Sequence, residues 1–174
     1  MSNVVFPEGF ELARLERLHA RSSFDCGEPL VTDWLKSKAL QHQDKRLSVT
    51  KVLLTLTGQI AGFYSLATGQ VDFSDLPSEL ARKLPRRALP IAVLAWLGVD
   101  LHFQRHGIGQ CLVAQALKDC DDAGQTFAFI AVVIDCVNEE AKSFYRQWDF
   151  AELPGHPFRL FLPAKSLTAM AKAP

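Results

Sequence analysis

The stretch Leu94-Ala95-Trp96-Leu97-Gly98-Val99-Asp100-Leu101-His102-Phe103-Gln104-Arg105-His106-Gly107-Ile108-Gly109 decides how the rest of the chain is read. Its first part closes an almost wholly apolar run, Ile91–Val99, the pattern of a central strand covered on both faces. Its last part opens a helix predicted from Gly107 to Asp122, with Ile108, Cys111, Leu112, Ala116 and Cys120 as the buried stripe. Between them, Gln104-Arg105-His106-Gly107-Ile108-Gly109 places two glycines where the backbone can approach a ligand closely. A helix N-terminus carries roughly half a positive charge and amides without intrahelical acceptors, so it suits a pyrophosphate. Arg105 and His106 can add charge-assisted bonds. The segment lacks the GK[ST] ending of a nucleoside-triphosphate loop and the spacing of GxGxxG. By itself the hexapeptide fits a helix start without a ligand equally well.

Outward from this stretch the pattern alternates helix and strand. A helix is predicted over Glu28–Gln41, with Leu30, Trp34, Leu35 and Leu40 near helical spacing. Strands Val49–Thr57 and Gln59–Thr68 flank Gly58 as a hairpin. Phe73 to Leu89, with Pro77 and Pro85, reads as a connecting excursion with a short helical stretch. Phe127–Ile134 is a second buried strand. Asn138 can cap a helix bearing Ala141, Phe144 and Tyr145, where Phe144 suits the inward apolar role and Tyr145 is left for chemistry. Phe150–Leu153 and Phe158–Leu162 form a terminal hairpin around Pro154-Gly155. The order is that of a mixed α/β (α+β) domain, one central mixed sheet flanked by helices, spanning residues 1–174 without a dividing linker.

Composition narrows the function classes. The chain has 174 residues, 48% hydrophobic and 22% charged, which suits one domain with a real core and excludes disorder. Nineteen Lys and Arg balance nineteen Asp and Glu. Neutrality excludes a protein that coats nucleic acid by overall charge, yet Arg82, Lys83, Arg86 and Arg87 crowd into one excursion and Lys45 and Arg46 into another. Such runs also serve as solvated faces. No signal peptide is expected, since Met1 to Arg14 lacks a basic segment followed by an apolar run, and the longest apolar runs fall well short of the roughly 20 residues a membrane helix needs. Cys26, Cys111, Cys120 and Cys136 lack metal spacing and read as reduced cytoplasmic thiols. The five histidines lack it too, so no metal is expected.

The strand ending Leu97-Gly98-Val99 followed by Gln104–Gly109 resembles the acetyl-coenzyme A site of the GNAT acetyltransferases, whose pattern is [Q/R]-x-x-G-x-[G/A]. Asn138-Glu139-Glu140-Ala141-Lys142-Ser143-Phe144-Tyr145 is similar to that family's A-x-x-F-Y segment. Phe24-Asp25-Cys26-Gly27, then Leu30 and Trp34-Leu35, resembles the opening of the TacT-like toxins of bacterial toxin–antitoxin modules. Gly62–Leu66, Leu89-Pro90-Ile91 and Leu160-Phe161-Leu162-Pro163 extend that likeness.

The resemblance implies a GNAT fold and acetyl-coenzyme A as co-substrate. It implies transfer of acetyl to the α-amine of aminoacyl-tRNA, which stops translation, and pairing with a ribbon–helix–helix antitoxin. Dimers are common in that group. It also implies main-chain contacts from Leu97 and Val99 to the pantetheine, an oxyanion donor near Leu97, and a pyrophosphate on Gln104, Arg105, His106, Gly107, Ile108 and Gly109. Asn138 is either a pantetheine partner or a helix cap. Tyr145 is the candidate general acid, since a phenol with pKa about 10 is protonated at neutral pH and can donate to the leaving sulfur. Arg82, Lys83, Arg86 and Arg87 are the candidate tRNA contacts. Of the nearby acids, Glu139 and Glu140 suit the solvated first turn of a helix, and Asp135 is a further candidate base. A base is dispensable for an α-amine, whose pKa is near 8 and lower beside an ester, but not for a lysine near 10.4.

Three features depart from the pattern: Trp96 stands where many such toxins carry Arg, Asp149 replaces a glycine, a position where Asp tolerates left-handed angles, and Arg105 lies at the second position of the loop rather than the third. Two other readings stay open, a GNAT enzyme acetylating a small amine or protein N-terminus and a non-catalytic acyl-coenzyme A-binding regulatory module.

Overall fold

A computed structural model describes residues 4–172. Seven strands are present: β1 Phe10–Arg14, β2 Val49–Thr55, β3 Ile60–Val71, β4 Leu89–Val99, β5 Ala131–Asp135, β6 Ala151–Leu153 and β7 His156–Pro163. Six α-helices accompany them among the described residues: α1 Pro29–Ser37, α2 Ala39–Asp44, α3 Ser78–Ala81, α4 Ile108–Gly124, α5 Glu139–Arg146 and α6 Ala164–Lys172. The strands form one mixed sheet, flanked by helices, in the order β1-β2-β3-β4-β5-β7-β6. β1, β2 and β3 pair antiparallel, with Leu12 opposite Leu53 and Val52 opposite Phe63. β4 and β5 pair in parallel through Ala92–Val132 and Val93–Val133, and β4 runs on beyond that pairing to Val99.

The described residues gather into two compact units, one of residues 4–67 and Leu94–Leu117, the other of Thr68–Val93 and 118–172. Strands β3 and β4 and helix α4 contribute residues to both. The first unit has a core of Leu15, Phe24, Val31, Trp34, Leu35, Val52, Ile60 and Phe63. The second packs Val71, Leu89, Ile91, Ala131, Val133, Leu153 and Phe161 together.

Several boundaries differ from the sequence pattern, each for a local reason. The Glu28–Gln41 helix is two helices, because Lys38 leaves helical geometry at φ −117° before α2 begins. Leu30 is 64% exposed, while Val31, Trp34 and Leu35 hold the buried stripe. Leu30 precedes Val31 and so lies about 100° around the helix from it. Gly107 has φ +77° and stays outside α4, which starts at Ile108. On α4, Cys111 is only half-buried, and Val113 and Leu117 join Ile108, Leu112, Ala116 and Cys120 inside. β5 begins at Ala131 rather than Phe127, which is 78% exposed, because α4 continues to Gly124 and the Phe127 amide still bonds the Ala123 carbonyl. β1 and α6 have no counterpart in the sequence reading. The turn at Asp149 is left-handed (φ +63°), as its residue type allows.

Within the first unit, β3 and β4 approach closely at two glycines. A Cβ on Gly62 would stand 3.0 Å from the Gly98 carbonyl oxygen and 2.7 Å from Leu112 Cδ1. One on Gly98 would meet Val31 and Phe63 at 3.0 and 3.1 Å. Overpacking of this kind costs about 1–3 kcal/mol. Gly62→Ala is therefore expected to lower the unfolding free energy by that amount, read as a lower urea midpoint at an unchanged m-value; an unchanged midpoint would show that the two strands can separate freely.

Candidate active site

The loop after β4 is held by a set of bonds to the segment Asp25–Gly27. Asp100, 1% exposed, follows the last residue of β4, and its amide bonds the Ala61 carbonyl at 2.9 Å. Its carboxylate accepts from the amide of Asp25 (3.1 Å), the amide of His102 (3.0 Å) and pairs with His102 Nδ1 (2.8 Å). The Leu101 amide donates to the Asp25 carbonyl at 2.8 Å. Gln104 Nε2 donates to the carbonyls of Cys26 and Val99, both at 2.9 Å. On the other side of the strap the Cys26 amide donates to Thr32 Oγ1 at 3.1 Å, and the Gly27 amide to Asp25 Oδ1 at 2.8 Å. Gly27 takes φ +84°, and a Cβ there would meet Leu101 at 3.1 Å, so both backbone angle and space favour glycine.

Beyond Gln104 the chain turns left-handed at Arg105 (φ +63°) and again at Gly107 (φ +77°). A non-glycine residue held there stores on the order of 1–3 kcal/mol. Arg105, His106 and Gly107 are exposed, and nothing stands within 4 Å of a Cβ built on Gly107. Ile108 is buried and anchors the start of α4. Leu97 and Val99 are half-buried on β4. An anchored strand end, two left-handed turns and an open helix start form a backbone cradle suited to phosphate oxygens.

The second unit carries α5. Asn138 is extended and its Oδ1 accepts the Ala141 amide at 2.8 Å, so its side chain caps the helix. Glu139 and Glu140 are exposed in the first turn, where acids complement the helix dipole. Asp135 forms a two-pronged pair with Arg159, at 2.7 and 2.9 Å. Tyr145 is 7% exposed and packs edge-on against Phe144 and Phe150, at 5.2 and 6.1 Å between centroids. The inward aromatic is thus Tyr145, and Phe144 is half-buried, the reverse of the sequence expectation. Burial, with a smaller contribution from the Cys136 thiol, pushes the phenol above its ordinary value. It is therefore protonated at neutral pH. Burial likewise pushes Cys136 up to about 11 and Cys120 up to about 12, so both are thiols rather than nucleophilic thiolates.

Of the residues singled out from sequence, Leu97, Val99 and Gln104–Gly109 lie along one continuous segment of the first unit. Asn138 and Tyr145 share α5 in the second. Arg82, Lys83, Arg86 and Arg87 are exposed on the connection between α3 and β4, with Arg86 lying 5.9 Å from the centre of the Phe73 ring. Gln104 differs from expectation, since its amide group is engaged with two carbonyls and positions the loop. Sequence reasoning passed over Asp100, Asp25 and Thr32, although an Asp immediately after a strand is a capping signal. It also passed over Lys142, a buried ammonium 2.7 Å from Glu152 and 5.2 Å from the centre of the Phe158 ring. Glu152 also pairs with Arg146. Among the described residues no group of three or more His, Cys, Asp or Glu could hold a metal ion. No helix among them is long and apolar enough to cross a membrane.

These features sit within a recognisable class. The chain belongs to the acetyltransferase (GNAT) family, whose model matches residues 12–150. It is 32% identical over 149 residues to the tRNA-acetylating toxin of Mycobacterium tuberculosis (strain ATCC 25618 / H37Rv), covering 86% of this chain and 89% of that protein. It is 26% identical to the probable toxin TacT of Sinorhizobium fredii (strain NBRC 101917 / NGR234), covering 87% and 89%. Among solved structures it superposes on that of AtaTR bound with AcCoA with a TM-score of 0.84 and 25% identity, covering 95% of this chain and 100% of the other.

Asp100 gives a direct test of the strap. Burial alone would raise its pKa, but the amides of His102 and Asp25 and the His102 ring hold it below the ordinary value. A carboxylate with a depressed pKa adds stability that is complete above its unfolded value, about 3.9, and is lost as pH falls through the folded value. Asp100→Asn is expected to lose roughly 1–3 kcal/mol at pH 7. Denaturant titrations at stepped pH should show the gap from the parent closing below about pH 4. A gap independent of pH would mean that the charge of Asp100 contributes nothing.

Proposed function

We propose that this acetyltransferase moves the acetyl group of acetyl-coenzyme A onto the α-amine of aminoacyl-tRNA and so acts as a translation-blocking toxin. The observation that carries the cofactor half of this reading is the strapped loop, exposed at Arg105–Gly107 and opening α4. The pyrophosphate is assigned to the main chain of Gln104–Gly109, with Arg105 and His106 supplying charge and the Gln104 side chain fixing the loop. Leu97 and Val99 offer main-chain groups to the pantetheine. Asn138 serves as the helix cap that sets α5, and any contact from it to the pantetheine is secondary.

In the reaction, the amine nitrogen forms a bond to the acetyl carbonyl carbon and the carbonyl electron pair moves onto oxygen, which a main-chain N–H near Leu97 stabilises. When the C=O bond re-forms, the C–S bond breaks with its electron pair on sulfur, and Tyr145 Oη gives that sulfur its proton. The new amide nitrogen loses one proton to water, and solvent reprotonates the phenol. The products are an N-acetyl amide and a thiol.

The acceptor half rests on chemistry and relatives. An α-amine beside an ester is largely uncharged at pH 7, and Glu139, Glu140 and Asp135 are either solvated or paired. The exposed cations Arg82, Lys83, Arg86 and Arg87 suit phosphate contacts. The mycobacterial relative is named for tRNA acetylation. On this reading residues 1–174 act as one catalytic domain in the cytoplasm, restrained by a ribbon–helix–helix antitoxin, with a homodimer as the assembly to look for.

Labelled acetyl-coenzyme A incubated with bulk charged tRNA should place label at the aminoacyl end, removable with the ester. Label appearing only on free lysine or polyamines would refute the acceptor. Tyr145→Phe is expected to lower kcat about 10²–10⁴-fold with nearly unchanged affinity for coenzyme A; full activity in that variant would exclude Tyr145 as the acid. Gln104→Ala should chiefly raise the KM for acetyl-coenzyme A, by about ten-fold for the loss of roughly 1.4 kcal/mol of positioning.

A further inference from the structure

We infer that Trp96 selects the acceptor, and that the preferred substrate carries an apolar side chain on the carbon bearing the amine. The inference rests on the acetyl-transfer reading above, including the oxyanion donor near Leu97. Trp96 directly precedes Leu97 in β4, and a strand advances only about 3.3 Å per residue. An amine attacking a carbonyl polarised near Leu97 therefore brings its own substituent within side-chain reach of position 96.

Strand residues alternate between faces, so Trp96 shares its face with Leu94 and Gly98 and not with Leu97. On this face Gly98 sits against Val31, Phe63 and Cys26 with no room for a side chain. The indole of Trp96 lies on that of Trp34, with centroids 5.2 Å apart and planes 17° from parallel. Trp34 is in turn 10° from parallel with Phe63, at 6.2 Å. The inner rings, Trp34 and Phe63, are buried, and Trp96 is the partly exposed outer member of the stack. It packs against an apolar core cluster that includes Leu15, Phe24, Val31, Trp34, Leu35 and Phe63. The titratable ring at this stack, His42, meets Trp34 edge-on at 5.8 Å.

A surface of this kind discriminates by side-chain polarity. A charged substituent laid against the indole ring would lose hydration. An aliphatic one gains burial, and an aromatic one adds ring stacking to it. An Arg here, as in many of the toxins this chain resembles, would offer a bidentate fork to phosphate or carboxylate. Trp96 offers an apolar ring at this position instead. The rigid backing of Trp34 matters, because a ring already held by packing loses little freedom when a substrate arrives.

The test uses the full-length protein and whichever tRNA takes label from the bulk charged pool, charged in turn with leucine, phenylalanine, glycine, glutamate and lysine. The expected kcat/KM is at least about 100-fold higher for leucine and phenylalanine than for glutamate and lysine. Trp96→Ala should shrink that ratio to below about ten-fold by raising KM for the apolar acceptors, with the glutamate and lysine values unchanged. Trp96→Phe should preserve the ranking. Comparable wild-type rates across the five acceptors, or an equal loss on all of them in Trp96→Ala with coenzyme A affinity intact, would overturn the inference while leaving tRNA acetylation standing. If no charged tRNA takes label and a small amine does, the underlying reading fails and this inference with it.

Discussion

A phosphate-binding loop made of main chain works only if that main chain is held before the ligand arrives, because ordering it on binding would consume the binding energy. In the cradle proposed for the pyrophosphate the holding is done by a buried carboxylate and a side-chain amide. Asp100 gathers the amides of Asp25 and His102, and Gln104 ties the carbonyls of Cys26 and Val99. Each group bonds part-buried backbone atoms, the kind that are costly to leave without a partner. The result is a stiff junction from which Arg105 and Gly107 can be held in left-handed turns.

The same logic accounts for the Phe24-Asp25-Cys26-Gly27 segment. Phe24 is anchored in the core against Phe63, at 5.4 Å between centroids. Asp25 and Cys26 then contribute main-chain groups to the strap, while the Gly27 turn leads toward α1 and the Thr32 hydroxyl. Chemistry in the second unit relies on a different balance. Burial makes Tyr145 a weaker acid than a free phenol. In the proposed reaction the same apolar surroundings would disfavour a bare thiolate, so a sulfur departing beside Tyr145 would gain basicity too. What counts is the difference between the two, not the acidity of the phenol alone. Lys142, Arg146 and Glu152 join α5 to β6 by ion pairs, which limits how the helix bearing Tyr145 can roll.

Much of this was legible from local pattern. The Ile91–Val99 run, the helix after Gly107, the hairpin at Gly58 and the Asn138 cap are short-range features with strong residue preferences, and each is found within a few residues of its expected place. The misses are equally physical. β1 is a five-residue edge strand, Phe-Glu-Leu-Ala-Arg, whose pairing with β2 defines it more than any alternation of its own. The break at Lys38 has neither Gly nor Pro to mark it. Phe127 reads as core by composition but falls in the turn after α4. On α5, adjacent aromatics cannot be ordered by type alone, and packing against Phe150 places Tyr145 inward.

By itself the sequence determined the class of fold, the position of the turn that opens α4 and the identity of the residues able to supply a phenol, amides and cations. These depend on periodicity, glycine content and side-chain chemistry, which are local properties. Only the tertiary structure decided what each polar group is already bonded to. It made Gln104 a brace, Asn138 a cap and Asp135 half of an ion pair, and it showed Asp100 to be the centre of the strap. It also laid Trp96 on Trp34 across 62 residues of sequence (96 less 34). Such partnerships follow from how distant segments pack, and no spacing along one chain records them.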